Sequence, residues 1–454
     1  MSHQVNDWTT VGLFATYWLA GGPGEVLRLA QETPAIANVF TQAPDGARWI
    51  TVTLLSACAI MLLLTACLNF ANTTIAISNR RLREMGVRKV MGGTLRQLRL
   101  QLLGEGEAEY QDQVLSGAEA MRRAGIKPVQ LQAKEGLALN NGTQVMAALG
   151  VLSLLEAERL CQQADINAAC SIDALKGTPR AFDELIHNLR PHPGQRSSAA
   201  NLRNLLQGSK LRESHLNCGN VQDAYSLRCT PQVHGAVRDA LSYARGVLEI
   251  EINSATDNPL IFPDEETVIS GGNFHGEPLA IALDAMAIAI AELANISERR
   301  MEQLLNPALN RGLSAFLAKR PGVDSGFMIA QLTAASLVSE NKVLTHPASV
   351  DSIPTSANQE DHVSMGSVSA NKLLQVLDNV RGVLAIELMA AMQGLDERAV
   401  PSSPCLEAAK AKFRESVPSL GEDRVMYPLV RDAIAVLSSH SLLQAVKSAG
   451  VDLY

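Results

Sequence analysis

Four segments of the chain carry clusters of polar side chains that the packing of helices does not require. The first contains Asn140-Asn141-Gly142. Because Asn and Gly are poor helix formers, this tripeptide predicts a turn directly before a helix. The other three are QDAYSLRCTPQVHG (222–235), ISGGNFHGEP (269–278) and SANQEDHVSMG (356–366). Together they supply amides, carboxylates, imidazoles, a phenol and a guanidinium, which are the groups that recognition of an amino acid requires.

The chemistry of these side chains predicts an amino-acid site. Arg228 can clamp a carboxylate through two parallel charge-assisted hydrogen bonds, and Tyr225, three residues earlier, shares its face if the segment is helical. The Tyr225 hydroxyl suits proton transfer or hydrogen bonding, and Glu360 can pair with a basic substrate group. Asn141 and Gln222 can orient polar groups. Taken singly, each segment has an ordinary explanation as a turn or a solvated charge, so it is their joint occurrence that favours a site.

Long helices are predicted to position these segments. Apolar residues recur at helical spacing in five stretches, which are 145–160, 242–252, 283–305, 326–344 and 371–392. Scattered charges interrupt the apolar runs, which is typical of nearly buried helices in a soluble bundle. Strand-like stretches are few and short, around 129–132 and 259–262. The predicted fold class is therefore mostly α.

The composition excludes several function classes. The net charge of −7 argues against a general nucleic-acid binder. The seven cysteines are scattered without a CxxC pair, and the histidines include no HExxH. His187 and His192 lie five residues apart, but Pro191 and Pro193 flank His192, so the sequence predicts no metal site there. A phosphate-binding Gly-x-x-x-x-Gly-Lys-Ser/Thr loop is also absent.

The first hundred residues have a different character. No charged residue occurs from Trp49 to Asn79, and residues 50–68 are long enough to cross a bilayer core. A basic stretch follows directly, which predicts a transmembrane helix whose carboxyl side faces the cytoplasm. A buried core helix is the alternative. Residues 81–92 (RLREMGVRKVMG) resemble the cytoplasmic side of ABC-transporter permeases of the macrolide-exporter and lipoprotein-release type, over roughly residues 50–103.

From about Leu102 onward, the motifs resemble the aromatic amino-acid lyase family, and within it the histidine-specific members. The motifs are NGTQ (141–144), YSLRC (225–229), GGNFHGEP (271–278) and SANQEDHVSMG (356–366), in the family's order. Glu360 favours histidine as substrate, because phenylalanine-specific members usually carry Gln at this place. The resemblance implies a bundle of long helices, a homotetramer with sites built from three subunits, and conversion of L-histidine to urocanate and ammonia.

The same resemblance assigns roles to individual residues. Tyr225 and Glu360 are the implied catalytic residues, with Glu360 facing the substrate imidazole. The implied substrate-binding residues are Asn141, Gln222, Arg228, Phe274 and Gln359. Among these, Arg228 would bind the carboxylate and Phe274 would wall the site, while Asn141 and Tyr225 would contact the electrophile and the amine.

One part of the family's machinery is missing from the sequence. The lyases form a methylidene-imidazolone electrophile from an internal Ala-Ser-Gly, and this chain contains no Ala-Ser-Gly. The nearest strings are Leu115-Ser116-Gly117 and Ser448-Ala449-Gly450. The family's N-terminal Tyr-Gly-x-Asn-Thr-Gly loop, which carries a tyrosine base, is absent too. We therefore expect no cofactor in this chain and no turnover by it alone.

These observations predict three regions: an undefined segment (1–48), a permease-like membrane segment (49–103), and a lyase-like helical domain lacking its N-terminal third (104–454). The alternative to a lyase function is a non-catalytic fusion, in which a membrane-tethered permease fragment precedes a lyase remnant. The lyase resemblance implies a cytoplasmic location, and the predicted span implies tethering to the inner membrane with the helical domain in the cytoplasm.

Overall fold

The computed structural model describes residues 107–127, 141–216 and 221–454, together with positions 132, 135 and 138. All of them belong to Val87–Tyr454, one of the two units into which the chain divides. The predicted membrane span, the permease-like segment and most of the strand-like stretch 129–132 lie outside the described residues. The proposed division into three regions therefore stays a prediction.

Helices dominate the described part of the chain. In chain order they are α1 (Gly117–Arg123), α2 (Gln144–Ala174), α3 (Glu184–Asn188), α4 (Pro193–Leu206), α5 (Lys210–Glu213), α6 (Tyr225–Arg228), α7 (Thr230–Glu251), α8 (Glu277–Leu305), α9 (Met328–Leu344), α10 (Gly366–Asp396), α11 (Pro404–Arg414), α12 (Tyr427–Ser438) and α13 (Ser441–Ser448). Short 3₁₀ turns occupy Pro179–Phe182, Ala315–Leu317 and Ser356–Asn358. The predicted mostly α fold is confirmed.

The described residues contain two antiparallel β-hairpins. β1 (Glu107–Tyr110) pairs with β2 (Gln113–Ser116), and β3 (Leu260–Phe262) pairs with β4 (Thr267–Ile269). The strand expected around 259–262 is confirmed as β3. The first hairpin was not expected, because in Glu-Ala-Glu-Tyr only Tyr110 is of the β-branched or aromatic type on which strand prediction relies.

The central helices are longer than their apolar periodicity predicts. The stretch 145–160 predicts only the first half of α2, whose second half contains Asp165, Asn167 and Asp173 at fully or almost fully buried positions. Each of these polar side chains has a hydrogen-bond partner on another element, which makes its burial tolerable. Buried polar residues therefore interrupt the apolar periodicity of the sequence, although the helix continues through them.

Helices α2, α8 and α10 run in the same direction through the core. At their amino ends, the sulfur of Met146 packs so closely that a Cβ added at Gly276 or Gly366 would lie within 2.7 Å of it. At their carboxyl ends, Arg398 donates to the carbonyl oxygen of Ala174, at 2.7 Å. Helix α7 runs in the opposite direction. Its carboxyl end lies at the amino end of α2, where the Thr143 hydroxyl donates to Glu251. We call the two ends of this bundle the Asn141 end and the Arg228 end, after the candidate site residues located there.

The apolar helix α8 belongs to the interior of this bundle. It is the one described helix that is long and apolar enough to cross a membrane by length and composition. However, 61% of its most apolar stretch is buried within the fold. Its packing against α10 and α2 explains that composition, as expected for a core helix of a large bundle.

Candidate functional site

Helix α6 presents the predicted carboxylate clamp at the Arg228 end. The guanidinium carbon of Arg228 lies 4.7 Å from the centroid of the Tyr225 ring, so the predicted shared face is confirmed. An Arg228 Nη donates to the Gln222 side-chain oxygen at 3.0 Å. The Arg228 Nε is buried and has no hydrogen-bond partner among the described residues. The guanidinium therefore has hydrogen-bonding capacity that the described residues do not use.

A buried carboxylate fixes the segment that leads into α6. Asp223 accepts a hydrogen bond from the backbone N–H of Thr178 and forms an ion pair with Arg311, both at 2.7 Å. Thr178 follows the end of α2, and Arg311 follows the end of α8. The clamp is therefore anchored to the carboxyl ends of two core helices, while Tyr225 itself is 72% exposed.

The turn containing Asn141 lies at the opposite end of α2. Gly142 has a φ of +103°, and an added Cβ would approach the carbonyl oxygen of Thr256 to 2.4 Å, so only glycine fits there. The Thr143 hydroxyl donates to a Glu251 carboxylate oxygen at 2.5 Å. Asn141, directly before this glycine, is half-buried. For the described residues, the predicted turn ahead of a helix is confirmed.

The loop of Phe274 and the loop of Glu360 meet at this same end. The Asn273 side chain donates to the carbonyl oxygen of Ala255 at 3.4 Å, and the Nε2 of His275 lies 3.2 Å from the carbonyl oxygen of His362. Phe274 is half-buried, whereas Gln359 and Glu360 are exposed. Asn141, Phe274 and Glu360 thus lie on neighbouring segments.

The Thr355 hydroxyl forms a hydrogen bond with the Glu360 carboxylate and lowers its pKa. The Thr355 hydroxyl donates to Glu360 at 2.5 Å, and the backbones of the two residues form an isolated antiparallel bridge. This hydrogen bond, followed by a second one from Ser356, holds the pKa of Glu360 below its usual range. Glu360 is therefore a stable anion, suited to accept a hydrogen bond from an imidazole N–H or to pair with an imidazolium.

One chain does not bring all the predicted site residues together. Gln222, Tyr225 and Arg228 lie beyond the carboxyl ends of α2 and α8, whereas Asn141 and Phe274 precede the amino ends of the same helices. At a rise of 1.5 Å per residue, helices of this length separate the two groups by roughly 40 Å. In one chain, the predicted site residues therefore form two separate groups.

Sequence reasoning missed the residues that hold the site residues in position. Asp223, Arg311, Glu251 and Thr355 each fix a candidate site residue or its segment through a hydrogen bond or an ion pair. Asp223 and Thr355 lie inside or beside the polar segments and could have been found by proximity. Arg311 and Glu251 lie 88 and 108 residues from their partners, and no local pattern signals such contacts.

The strings nearest to Ala-Ser-Gly have ordinary structural roles. Ser116 ends β2 and caps α1, its hydroxyl accepting a hydrogen bond from the backbone N–H of Glu119 at 3.4 Å. Ala449 follows the end of α13, and Gly450, with a φ of +92°, completes the turn. The residues present do not fit formation of a methylidene-imidazolone, and we derive no chemical step through that group.

Comparison with known proteins places these features in a family. Residues 94–415 match the sequence profile described as aromatic amino acid lyase. The chain is 57% identical over 362 residues to a histidine ammonia-lyase of Sorangium cellulosum, covering 78% of this chain and 70% of that protein. The identity to a histidine ammonia-lyase of Koribacter versatilis is 55%, covering 77% and 70% of the two chains.

Solved structures agree with the sequence relatives. Histidine ammonia-lyase from Trypanosoma cruzi superposes with a TM-score of 0.71 at 46% identity, covering 78% of this chain and 68% of that one. A tyrosine aminomutase from Streptomyces globisporus gives a TM-score of 0.72 at 38% identity, covering 80% and 74% of the two chains. The shared helical core and the profile that spans most of the chain show that this protein belongs to the aromatic amino acid lyase family.

Proposed function

We propose that the chain carries the substrate-recognition groups of a histidine ammonia-lyase, which converts L-histidine to urocanate and ammonia. The observation that carries this proposal is the α6 clamp, in which Arg228 is stacked on Tyr225, bonded to Gln222 and left with one free buried donor. A substrate carboxylate would complete the hydrogen bonding of that guanidinium. The identity to histidine ammonia-lyases supports histidine as the substrate.

Each end of the bundle would contribute a separate function. At the Arg228 end, Arg228 binds the carboxylate and the Tyr225 hydroxyl serves as a hydrogen-bonding or proton-transfer group. At the Asn141 end, Phe274 walls the substrate, Gln359 and Asn141 orient it, and the Glu360 carboxylate faces the imidazole. Because these ends are far apart in one chain, the site forms where subunits meet, as in the homotetramer that the family implies.

We further propose that this chain alone does not turn histidine over. Ammonia is a poor leaving group and the β-proton is weakly acidic, and the chain has no Ala-Ser-Gly from which the family's electrophile forms. Loss of a covalent step removes transition-state stabilisation more than ground-state binding. Binding of L-histidine through Arg228 therefore persists, with the charge-assisted hydrogen bond contributing about 1.5–3 kcal/mol.

The test separates binding from turnover. Purified full-length chain is given excess L-histidine while urocanate absorbance is followed, and histidine binding is measured by calorimetry. We expect no urocanate and weak binding that Arg228→Ala abolishes, while Arg196→Ala, at an exposed arginine outside the clamp, leaves binding unchanged. Urocanate formation that Arg228→Ala abolishes would overturn the inactive assignment. A histidine affinity that Arg228→Ala leaves unchanged would overturn the assignment of the clamp.

A second experiment tests whether the chain is a competent partner. We expect co-expression with a full-length lyase subunit, itself inactivated at its carboxylate-binding arginine, to restore urocanate formation, because this chain supplies Arg228 to a shared site. The Arg228→Ala form of this chain is the matched control and restores nothing. Absence of rescue despite co-purification of the two chains would contradict the shared site.

A further inference from the structure

A cluster of two imidazoles and a carboxylate lies at the Asn141 end and is not used by the proposed reaction. His275, Glu277 and His362 each offer one ligand atom such that all three atoms lie within 4.8 Å of one another. The Nε2 of His275 lies 3.3 Å from the Nδ1 of His362. The sequence gives no signal for this cluster, because the two histidines are 87 residues apart and match no metal-binding motif.

The spacing of the nitrogens suits tetrahedral coordination. With zinc–nitrogen distances of about 2.0–2.1 Å, two ligands on a tetrahedral ion lie about 3.3 Å apart. Two histidines and one glutamate are also a ligand set of zinc sites that keep an open position. Glu277 supplies the third ligand, a carboxylate oxygen within 4.8 Å of the ligand nitrogens of both histidines.

One polar atom of the cluster has no partner in the described part of the chain, and the hydrogen bonds of the others are long. One carboxylate oxygen of Glu277 is buried and has no hydrogen-bond partner among the described residues. The Nε2 of His275 contacts the carbonyl oxygen of His362 at 3.2 Å, and the N–H of Glu277 donates to His275 Nδ1 at 3.3 Å. Both distances are longer than the usual value of about 2.9–3.0 Å, so these hydrogen bonds are weak. Coordination through the Nε2 of His275 moves the ring proton to Nδ1, which breaks the hydrogen bond from the Glu277 N–H.

The backbone around the cluster is held firmly in place. Gly276, between two of the ligands, is buried, and a Cβ there would lie 2.5 Å from Met146 Sδ and 3.0 Å from Ser364 Oγ. Ser364 belongs to the segment that carries His362. The two ligand-bearing segments are therefore packed against each other through Met146, which pre-organises a site on rigid elements.

We propose that His275, Glu277 and His362 bind a transition-metal ion of the Zn²⁺ class. Imidazole nitrogen with one carboxylate oxygen favours Zn²⁺ over Mg²⁺ or Ca²⁺, which take oxygen ligands. The bound ion joins the loop of Phe274 to the loop of Glu360. It thereby fixes the distance between these two groups at the Asn141 end, and its role is to position them, without contact with the reacting atoms.

The first test measures Zn²⁺ binding by the metal-free full chain, by competition with a chromogenic chelator. We expect one equivalent, with affinity reduced at least about tenfold by His275→Ala or His362→Ala and reduced less by Glu277→Gln. His346→Ala, at an exposed histidine outside the cluster, is the control and keeps full affinity. Absence of Zn²⁺ binding, or equal loss in the His346→Ala control, would overturn the proposal.

A second measurement does not depend on how the variants fold. In the unsubstituted chain, Zn²⁺ should shift the ring resonances of two of the nine histidines, and Co²⁺ should give the visible absorption of a four-coordinate ion. Assignment of the shifted resonances to His275 and His362 supports the site. Shifts at other histidines, or none, overturn it.

Discussion

At the residue scale, the core contains a charged network that a purely apolar bundle would not need. The carboxylate of Asp165 is fully buried and accepts hydrogen bonds from Ser198 at 2.6 Å and from His234 at 2.7 Å, together with an ion pair from Arg238 at 2.7 Å. Burial alone would raise the pKa of Asp165, but Arg238 and His234 more than offset it and hold that pKa well below its usual range. Burial lowers the pKa of His234 despite its contact with Asp165.

Both shifts predict loss of stability in acid. His234 has a lower pKa folded than unfolded, so the unfolded state binds its proton first and stability falls as the pH drops below about 6.5. Asp165 adds a second loss as the pH drops below about 3.9. We expect His234→Gln to reduce the drop in urea midpoint between pH 7.5 and 5.5. An undiminished drop would show that other groups cause it.

At the element scale, a buried ion pair joins the three parallel core helices. Arg300 on α8 and Glu387 on α10 have no exposed side-chain surface, and their contacts are bidentate. Ser171 of α2 and Ser297 of α8 donate to the same carboxylate at 2.8 and 2.7 Å. Four donor atoms from α2 and α8 thus bond the Glu387 carboxylate of α10. This fixes the relative position of the three helices along their axes, which contacts between apolar surfaces alone would not fix.

The ion pair predicts a specific mutational pattern. Arg300→Met leaves Glu387 charged and uncompensated in the core, so we expect a loss of about 3–5 kcal/mol in the free energy of unfolding. The double variant Arg300→Met with Glu387→Met removes both charges and should recover most of that loss. Urea titrations of the single and double variants measure the two values. A single variant that loses less than about 1 kcal/mol would contradict this description.

At the scale of the whole molecule, the helices expose apolar side chains in groups. Ile281 and Ile288 on α8 are 47% and 48% exposed, and Ile329 and Leu332 on α9 are 58% and 61% exposed. The latter two lie three residues apart, on one face of the helix. Exposed apolar surface of this kind promotes association between chains.

We expect residues 104–454 alone to associate or aggregate through these faces, with loose folding, because no described residue covers them. Analytical ultracentrifugation and thermal melting measure this. Leu332→Glu should reduce the association, whereas Leu189→Glu, at an exposed leucine on another surface, should not. A monodisperse tetramer with a cooperative melt would contradict the expectation.

The N-terminal region carries a prediction of its own. The uncharged run 50–68 and its basic flank predict that the full chain sediments with bacterial membranes and resists extraction at high salt. A variant with two arginines in the run, at Leu62 and Leu63, should become extractable, because charges at the centre of a span oppose insertion. Recovery of the unsubstituted chain in the detergent-free soluble fraction would rule out the membrane span.

The sequence by itself determined the helical class, the turn at Gly142, the shared face of Tyr225 and Arg228, and the motifs that indicate the family. These properties depend on residues close together in the chain, where spacing alone decides which side chains share a face or a turn. Only the tertiary structure decided that Arg228 and Asn141 lie at opposite ends of the bundle, and that His275 meets His362. Both follow from the relative direction of long helices, which is set by packing and by buried pairs such as Arg300 and Glu387 between residues far apart in sequence.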